Sequence, residues 1–218
     1  MSPRICLIHA VQVAMAPIEN SFARLWPQAE RMNLLEDRLA ADRKVGDLTP
    51  DMYRRFDTLA DYAISVGADG ILYTCSAFGP AIESVQRRLK VPVFKPNEAM
   101  FAEALRLGKR FGLIATFEPS LQPMVDELRE TAARQNADIS ITTACAQGAQ
   151  QILQAGDAQR HHDMVAAQVK NLGDCDVILL AQFSMAGARA AVEAQTRLPV
   201  LTSPDSAVHA LRAAVEKK

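Results

Sequence analysis

The chain carries one sequence pattern twice, and any fold built from it must place that pattern twice. Asp69-Gly70-Ile71-Leu72-Tyr73-Thr74-Cys75 matches Asp176-Val177-Ile178-Leu179-Leu180-Ala181-Gln182, so Cys75 falls on Gln182 at an offset of 107. At the same offset Val91-Pro92-Val93 falls on Leu198-Pro199-Val200. Pro96-Asn97-Glu98-Ala99 meets Pro204-Asp205-Ser206-Ala207 at 108, and Arg4-Ile5-Cys6-Leu7-Ile8-His9-Ala10 meets Arg110-Phe111-Gly112-Leu113-Ile114-Ala115-Thr116 at 106. The near-constant offset points to a duplicated fold. A thiol in one copy and an amide in the other point to a site between the halves and limit the chemistry it performs.

Short β-rich runs alternate with longer helical stretches, the order that produces a parallel sheet covered by helices. Strands are expected at 4–10, 70–74 and 91–94, with counterparts at 111–115, 177–181 and 200–202. A further strand in each half is expected near 31–35 and 139–143. Apolar residues at three- and four-residue spacings predict helices at 18–26, 50–66, 81–89 and 98–107. The second half repeats this at 121–135, 149–153, 158–172 and 188–195, and the tail at 206–215 reads as one more helix. Thr49-Pro50 and Gly79-Pro80 look like helix starts, where the missing proline N–H is not needed. The expected fold is α/β: two similar parallel-sheet lobes related by a pseudo-twofold, with an active-site cleft between them. Residues 1–97 plus 203–218 would form the first lobe and 98–202 the second.

With 49% hydrophobic residues and 22% charged, the composition suits a chain with a substantial core. A net charge of −1 gives no electrostatic reason for nucleic acid or an anionic membrane as partner. No apolar run reaches the roughly 18–20 residues that span a bilayer. The segment from Arg4 through Ala14-Met15-Ala16 imitates a signal peptide. Its second copy at Arg110, deep inside the chain, instead makes residues 4–10 a buried strand, and a cytoplasmic location is expected. The four cysteines show no C-x-x-C spacing, so neither a disulfide framework nor a zinc site is signalled. The glycines form neither G-x-G-x-x-G nor a Walker loop, and no G-x-S-x-G elbow is present.

Cys75 ends an expected strand just before the Ser76-Ala77-Phe78-Gly79-Pro80 turn into a helix. Turn amides and the helix dipole there favour a thiolate, whereas a small buried thiol is the structural alternative. Thr74, Ser76, Thr116 and Ser184 stand at or beside expected strand ends. With turn amides around Ala77 and Phe183, they suit a carboxylate ligand, or else they satisfy turns and caps. Ser120 is a weaker candidate that also fits a cap. His9 ends the first strand and is either a proton partner for Cys75 or a satisfied structural histidine. His161-His162 lies in a polar helical stretch and is expected to face solvent, with no metal-binding cluster around it. Asn97-Glu98 and Asp205-Ser206 read as helix caps, and Asn33-Leu34-Leu35-Glu36-Asp37 either brings carboxylates to the cleft or ends a strand.

On the duplicated halves, the stretches 70–79 and 177–187 and the run Lys95-Pro96-Asn97-Glu98-Ala99, the chain resembles the aspartate/glutamate/hydantoin racemase superfamily. That superfamily also includes maleate isomerase and arylmalonate decarboxylase. The resemblance covers essentially the whole length. It implies an enzyme without metal or cofactor that moves a proton at a carbon next to a carboxylate, and a homodimer. Family racemases place one cysteine from each lobe on opposite faces of that carbon. Here the first cysteine corresponds to Cys75 and the second position is Gln182, whose carboxamide is no general base near neutral pH. The resemblance therefore implies Cys75 as acid/base, with Thr74, Ser76, Ala77, Thr116, Gln182, Phe183 and Ser184 around the substrate. Three readings stay open: proton transfer by Cys75, with or without a second base such as His9; a single-cysteine decarboxylase of a malonate-like acid; and a non-catalytic module that binds small carboxylates.

Overall fold

The computed structural model describes residues 2–43 and 48–217. It contains two four-stranded, all-parallel sheets. The first has the order β2-β1-β3-β4, from β1 (Arg4–His9), β2 (Glu30–Leu35), β3 (Gly70–Tyr73) and β4 (Val93–Phe94). The second repeats that order as β6-β5-β7-β8, from β5 (Arg110–Ala115), β6 (Ser140–Cys145), β7 (Val177–Leu180) and β8 (Val200–Thr202). Parallel neighbours need crossover connections, and these are α1 (Met15–Leu25), α2 (Arg38–Asp42), α3 (Pro50–Ser65) and α4 (Gly79–Arg88) in the first half. After α5 (Glu98–Leu107) come α6 (Leu121–Ala133), α7 (Ala149–Gln154), α8 (Ala158–Ala166) and α9 (Arg189–Glu193), and α10 (Ser203–Glu216) closes the chain. The chain divides into two compact units, Met1–Ala99 with Ala207–Lys218, and Met100–Ser206.

The duplication extends to individual hydrogen bonds. In the first unit the Arg4 amide donates to Asp69 Oδ2 at 2.9 Å and the Asp69 amide to the Arg4 carbonyl at 2.7 Å. In the second the Arg110 amide donates to Asp176 Oδ2 at 2.9 Å and the Asp176 amide to the Arg110 carbonyl at 2.7 Å. Ile71 and Ile178 each donate at 2.9 Å to the carbonyl of a proline, Pro92 and Pro199. The Arg110 guanidinium and the Lys109 and Arg110 amides all bond Asp176, holding its carboxyl far below the usual carboxylate range. These contacts fix the strand register at the amino ends of the sheets.

The central strands β1, β3, β5 and β7 are buried on both faces, as strands of parallel sheets usually are, while the edge strands β2 and β6 are largely exposed. In the first unit Cys6, Ile8, Ala10, Ile71 and Tyr73 pack with Phe56, Phe78, Ile82 and Val85 of one helical layer. On the other face a Cβ at Gly70 would come within 2.9 Å of Leu211 and 3.2 Å of Val215, both in α10. The copy at 177 is a valine, fully buried among Phe101, Phe111 and Leu128. Thr49 caps α3 by accepting from the Met52 amide, with Pro50 in the first turn as the sequence predicts.

Three local expectations are corrected. The strand expected at 91–94 is shorter because Pro92 has no N–H to donate, leaving Val93–Phe94 as β4. The helix expected over 158–172 stops at Ala166 and resumes as a 3-10 turn at Val169–Asn171. The helix expected at 188–195 shrinks to α9 because the 3-10 segment Phe183–Ala188 precedes it. Among the described residues no helix is long and apolar enough to cross a membrane.

Candidate active site

In a sheet of order 2-1-3-4 the connections leave in opposite directions from the two central strands, and ligands in such folds bind beyond their carboxyl ends. In the first unit that edge is made by His9 at the end of β1 and by Thr74 and Cys75 just past β3. In the second it is made by Thr116 after β5 and by Gln182 after β7. Cys75 and Gln182 share backbone geometry as well as alignment. Both are extended (φ −125°, ψ 119° and φ −111°, ψ 133°), and each leads straight into a 3-10 turn, Ser76–Phe78 or Phe183–Ala188.

Cys75 is half-buried, while Ser76 and Ala77 beside it are exposed. Behind the strand end lies a narrow void of about 170 Å³ of empty space, too tight for water, lined by Ile8, His9, Ala10, Leu39, Phe56, Tyr73 and Cys75 itself. Burial among these groups pushes the Cys75 thiol above its ordinary value. The Ala77 amide and the charge of Arg43 act in the opposite sense, and burial outweighs them. The turn expected to favour a thiolate therefore holds a neutral thiol at rest. Arg43 also donates from Nε to the Ala77 carbonyl at 3.1 Å, tying the guanidinium to the turn that follows the cysteine. No sequence signal pointed to Arg43, which lies far from Cys75 along the chain.

His9 is not bonded to Cys75. Its side chain is fully buried, with Nδ1 2.9 Å from Thr74 Oγ1 and Nε2 2.8 Å from Asn33 Oδ1. Strand alternation explains this. Tyr73 and Cys75 face the helical layer packed by Phe56, and Thr74 faces the other way. Burial lowers the His9 pKa, against smaller opposing effects of Asn33 and the Glu19 charge, so the ring is neutral at physiological pH. Asn33 in turn donates from Nδ2 to Glu19 Oε1 at 2.8 Å, and Arg31 Nε donates to Glu19 Oε2 at 3.0 Å. The stretch 33–37 thus supplies Asn33, itself exposed, as the link between His9 and Glu19, whereas Glu36 pairs with Arg55.

In the second unit, Gln182 Oε1 accepts from the Thr116 amide at 2.7 Å and from the Thr116 hydroxyl at 2.9 Å. An amide N–H can only donate, so the oxygen of Gln182 must be the atom turned toward Thr116. Its Nε2 has no partner among the described residues and is left as a donor. Phe183 is buried and Ser184 half-buried in the following turn. Ser120 donates to the Phe117 carbonyl at 2.6 Å, a local turn contact. His161, expected to face solvent, is fully buried against His162, with rings 5.4 Å apart. Packing of α8 into a core of Val165, Ala166 and Met185 turns it inward.

A wide groove of about 1070 Å³ opens at the amino ends of the second sheet, lined by Lys109, Arg110, Asp138, Asp174 and Asp176. It carries none of the strand-end residues. Among the described residues no group of three or more His, Cys, Asp or Glu side chains is arranged to hold a metal ion.

A family model described as Asp/Glu/Hydantoin racemase matches residues 28–211. Among solved structures, a glutamate racemase isoform from Bacillus anthracis superposes with a TM-score of 0.73 at 9% identity, covering 99% of this chain and 82% of that one. The allantoin racemase of Klebsiella pneumoniae gives 0.72 at 16% identity, covering 99% and 89%. Unliganded arylmalonate decarboxylase gives 0.67 at 16% identity, covering 98% and 92%. At these identities the likeness is one of fold. A comparison with curated proteins gives no match.

Proposed function

The chain belongs to the Asp/Glu/hydantoin racemase family, and we propose that it is a cofactor-independent enzyme that moves a proton at a carbon next to a carboxylate in a small acid. Cys75 is the acid/base. The observation that carries this reading is a half-buried thiol at the carboxyl edge of its sheet, beside one amide and one guanidinium that favour its charged form. A thiol kept neutral at rest is ready to give its proton to an enediolate carbon. In that step the S–H bond breaks, the C–H bond forms, and the thiolate left behind has the Ala77 N–H and the Arg43 charge to stabilise it. The reverse step removes the α-proton.

Gln182 supports the same reading as an anion holder. Its oxygen is occupied by Thr116, so its NH₂ group can donate to a carboxylate and cannot accept a proton. Ser76, Ala77, Phe183 and Ser184 add hydroxyls and turn amides to the two edges. Preorganised donors of this kind stabilise the enolate-like charge, and losing one typically costs about 100- to 1000-fold in rate.

Decarboxylation of a malonate-like acid is the second reading. It is favoured by the pairing of one proton-exchanging thiol with a donor-only amide, because loss of CO₂ leaves a carbanion that needs a single proton.

The test is proton NMR in deuterium oxide on separate enantiomers of amino acids and hydantoins and on substituted malonates, with Cys75→Ala as control. Cys75-dependent loss of an α-proton signal, or CO₂ release, is the expected result. Full activity in Cys75→Ala would overturn the assignment. Carboxylate binding with no exchange anywhere in the panel would favour a binding module.

A further inference from the structure

We propose that His161 and His162 of α8 form a seat for the turn Phe183–Ala188 that opens in acid, releasing the donors beside Gln182 while the sheet beneath stays folded. The opening is a property of the second unit alone. Its effect on a bound ligand rests on the carbon-acid reading above.

His161 stands one helical turn before Val165, on the same face of α8. Val165 and Ala166 are buried with Met185 and Ala188, so the helix and the turn share one core. The His161 side chain is fully buried, and among the described residues neither ring nitrogen has a hydrogen-bond partner. His162 meets it edge-on, with ring centroids 5.4 Å apart. The His162 ring also covers Gly187 so closely that a Cβ there would come within 2.8 Å of Nε2.

No acid stands ready to compensate a charge on His161. The sequences of α7 and of the turn contain no titratable residue. In α9, Arg189 and Glu193 bond each other at 2.7 Å, and Arg189 also holds Asp205 at 2.9 Å. On α8 itself, Asp163 accepts from Gln159 at 2.9 Å, and Arg160 is exposed. The charge that acts on the His161 ring is that of His162, which opposes protonation.

A protonated His161 therefore reaches water only if the seat parts. Burial holds its pKa below the ordinary value of about 6.5, so the open form takes up a proton that the closed form refuses. Opening is then favoured as pH falls through about 6.5. The turn is closed on Gln182 by a bond from the Met185 amide to the Gln182 carbonyl at 2.9 Å. Opening breaks that bond and displaces Phe183 and Ser184, whereas the Gln182 side chain stays tied to Thr116. The first unit is built differently. Its turn after Cys75 is seated by Phe56 on Phe78, with rings 5.0 Å apart and no proton to gain.

Amide hydrogen exchange on the full chain reads the seat without any ligand. From pH 7.5 to pH 5.5 the protection factor of the Met185 amide should fall roughly tenfold more than those of the β5 amides, which report global unfolding. His161→Phe should abolish the difference. Equal falls at Met185 and β5, or the same extra fall in His161→Phe, overturn the seat. A second readout needs no variant: in ring NMR of the wild type, His161 should stay neutral wherever Met185 stays protected. An imidazolium at 161 with Met185 still protected also overturns it. Saturating lactate, a small carboxylate ionised throughout this range, should restore Met185 protection at pH 5.5, because it would bind only the closed turn. No effect of lactate would overturn the anion-holding reading of that edge alone, since the seat is decided by exchange without ligand.

Discussion

Thr116 donates both its amide and its hydroxyl to one atom, Gln182 Oε1, at 2.7 and 2.9 Å. In the proposed mechanism the pair puts a fixed donor where a two-thiol mechanism needs a base. Because the backbone amide of Thr116 is part of it, the arrangement survives loss of the hydroxyl in part. Thr116→Val should lower kcat/KM by roughly tenfold, a hydrogen bond's worth, and mostly through a higher KM. Steady-state kinetics on the substrate found in the exchange screen would show it, and an unchanged KM would remove Gln182 from substrate binding.

Gln182→Cys offers the complementary test. The Thr116 amide and hydroxyl would then be free to donate to a thiolate at 182, as Ala77 does at 75. The variant should convert exchange on one face of the α-carbon into racemisation, followed by loss of optical rotation. Retained stereospecificity would mean that position 182 does not act on the reacting carbon.

The protonation of Cys75 predicts a pH profile. Its pKa lies above the ordinary thiol value of about 8.5, so the thiolate, and with it alkylation by iodoacetamide, increases only at alkaline pH. Arg43→Gln removes a charge that favours the thiolate and should move the alkylation profile to higher pH. A shift to lower pH would contradict the role given to that guanidinium.

Acid should destabilise the fold through its buried histidines. Among the described residues His161 has no hydrogen-bond partner for either ring nitrogen, and burial and the neighbouring His162 lower its pKa. His9 is lowered by burial as well. At pH 8 both are neutral, folded or unfolded, and neither costs stability. Below about 6.5 the unfolded chain takes up protons that the folded chain refuses. Stability then falls by up to about 1.4 kcal/mol per pH unit for each ring until the folded pKa is passed. His161→Phe should flatten part of this decline in urea titrations between pH 7 and pH 5. An identical slope would show that His161 binds its proton in the folded state.

Gly70→Val should cost about 1–3 kcal/mol by overpacking, even though valine stands at the matched position 177. Leu211 of α10 lies 2.9 Å from where a Cβ at Gly70 would sit. Chemical denaturation would measure the loss; a neutral result would mean that α10 yields without cost.

The fold was legible because duplication supplies two readings of each strand, and seven of the eight strands lie where their repeat and apolar runs put them. β4 was overdrawn where Pro92 stops the ladder. The positions of the edge residues were legible too, since the repeat places Cys75 and Gln182 at matching strand ends. The chemistry of that edge was not. Whether Cys75 holds its proton depends on Leu39, Phe56 and Arg43, which meet it only after folding. The role of His9 depends on Asn33 and Glu19, on a neighbouring strand and a helix. Strand parity turns the His9 ring to Thr74 rather than to the cysteine, and the register between β1 and β3 that sets this parity is a tertiary fact.

The paired arginine–aspartate contacts have a consequence for how such a protein can change. Asp69 and Asp176 lock strand register at the end of each sheet remote from Cys75 and Gln182. What aligns the strands thus lies apart from the edge proposed to react. A substitution at that edge leaves the alignment intact, so one half could carry a thiol and the other an amide on the same architecture.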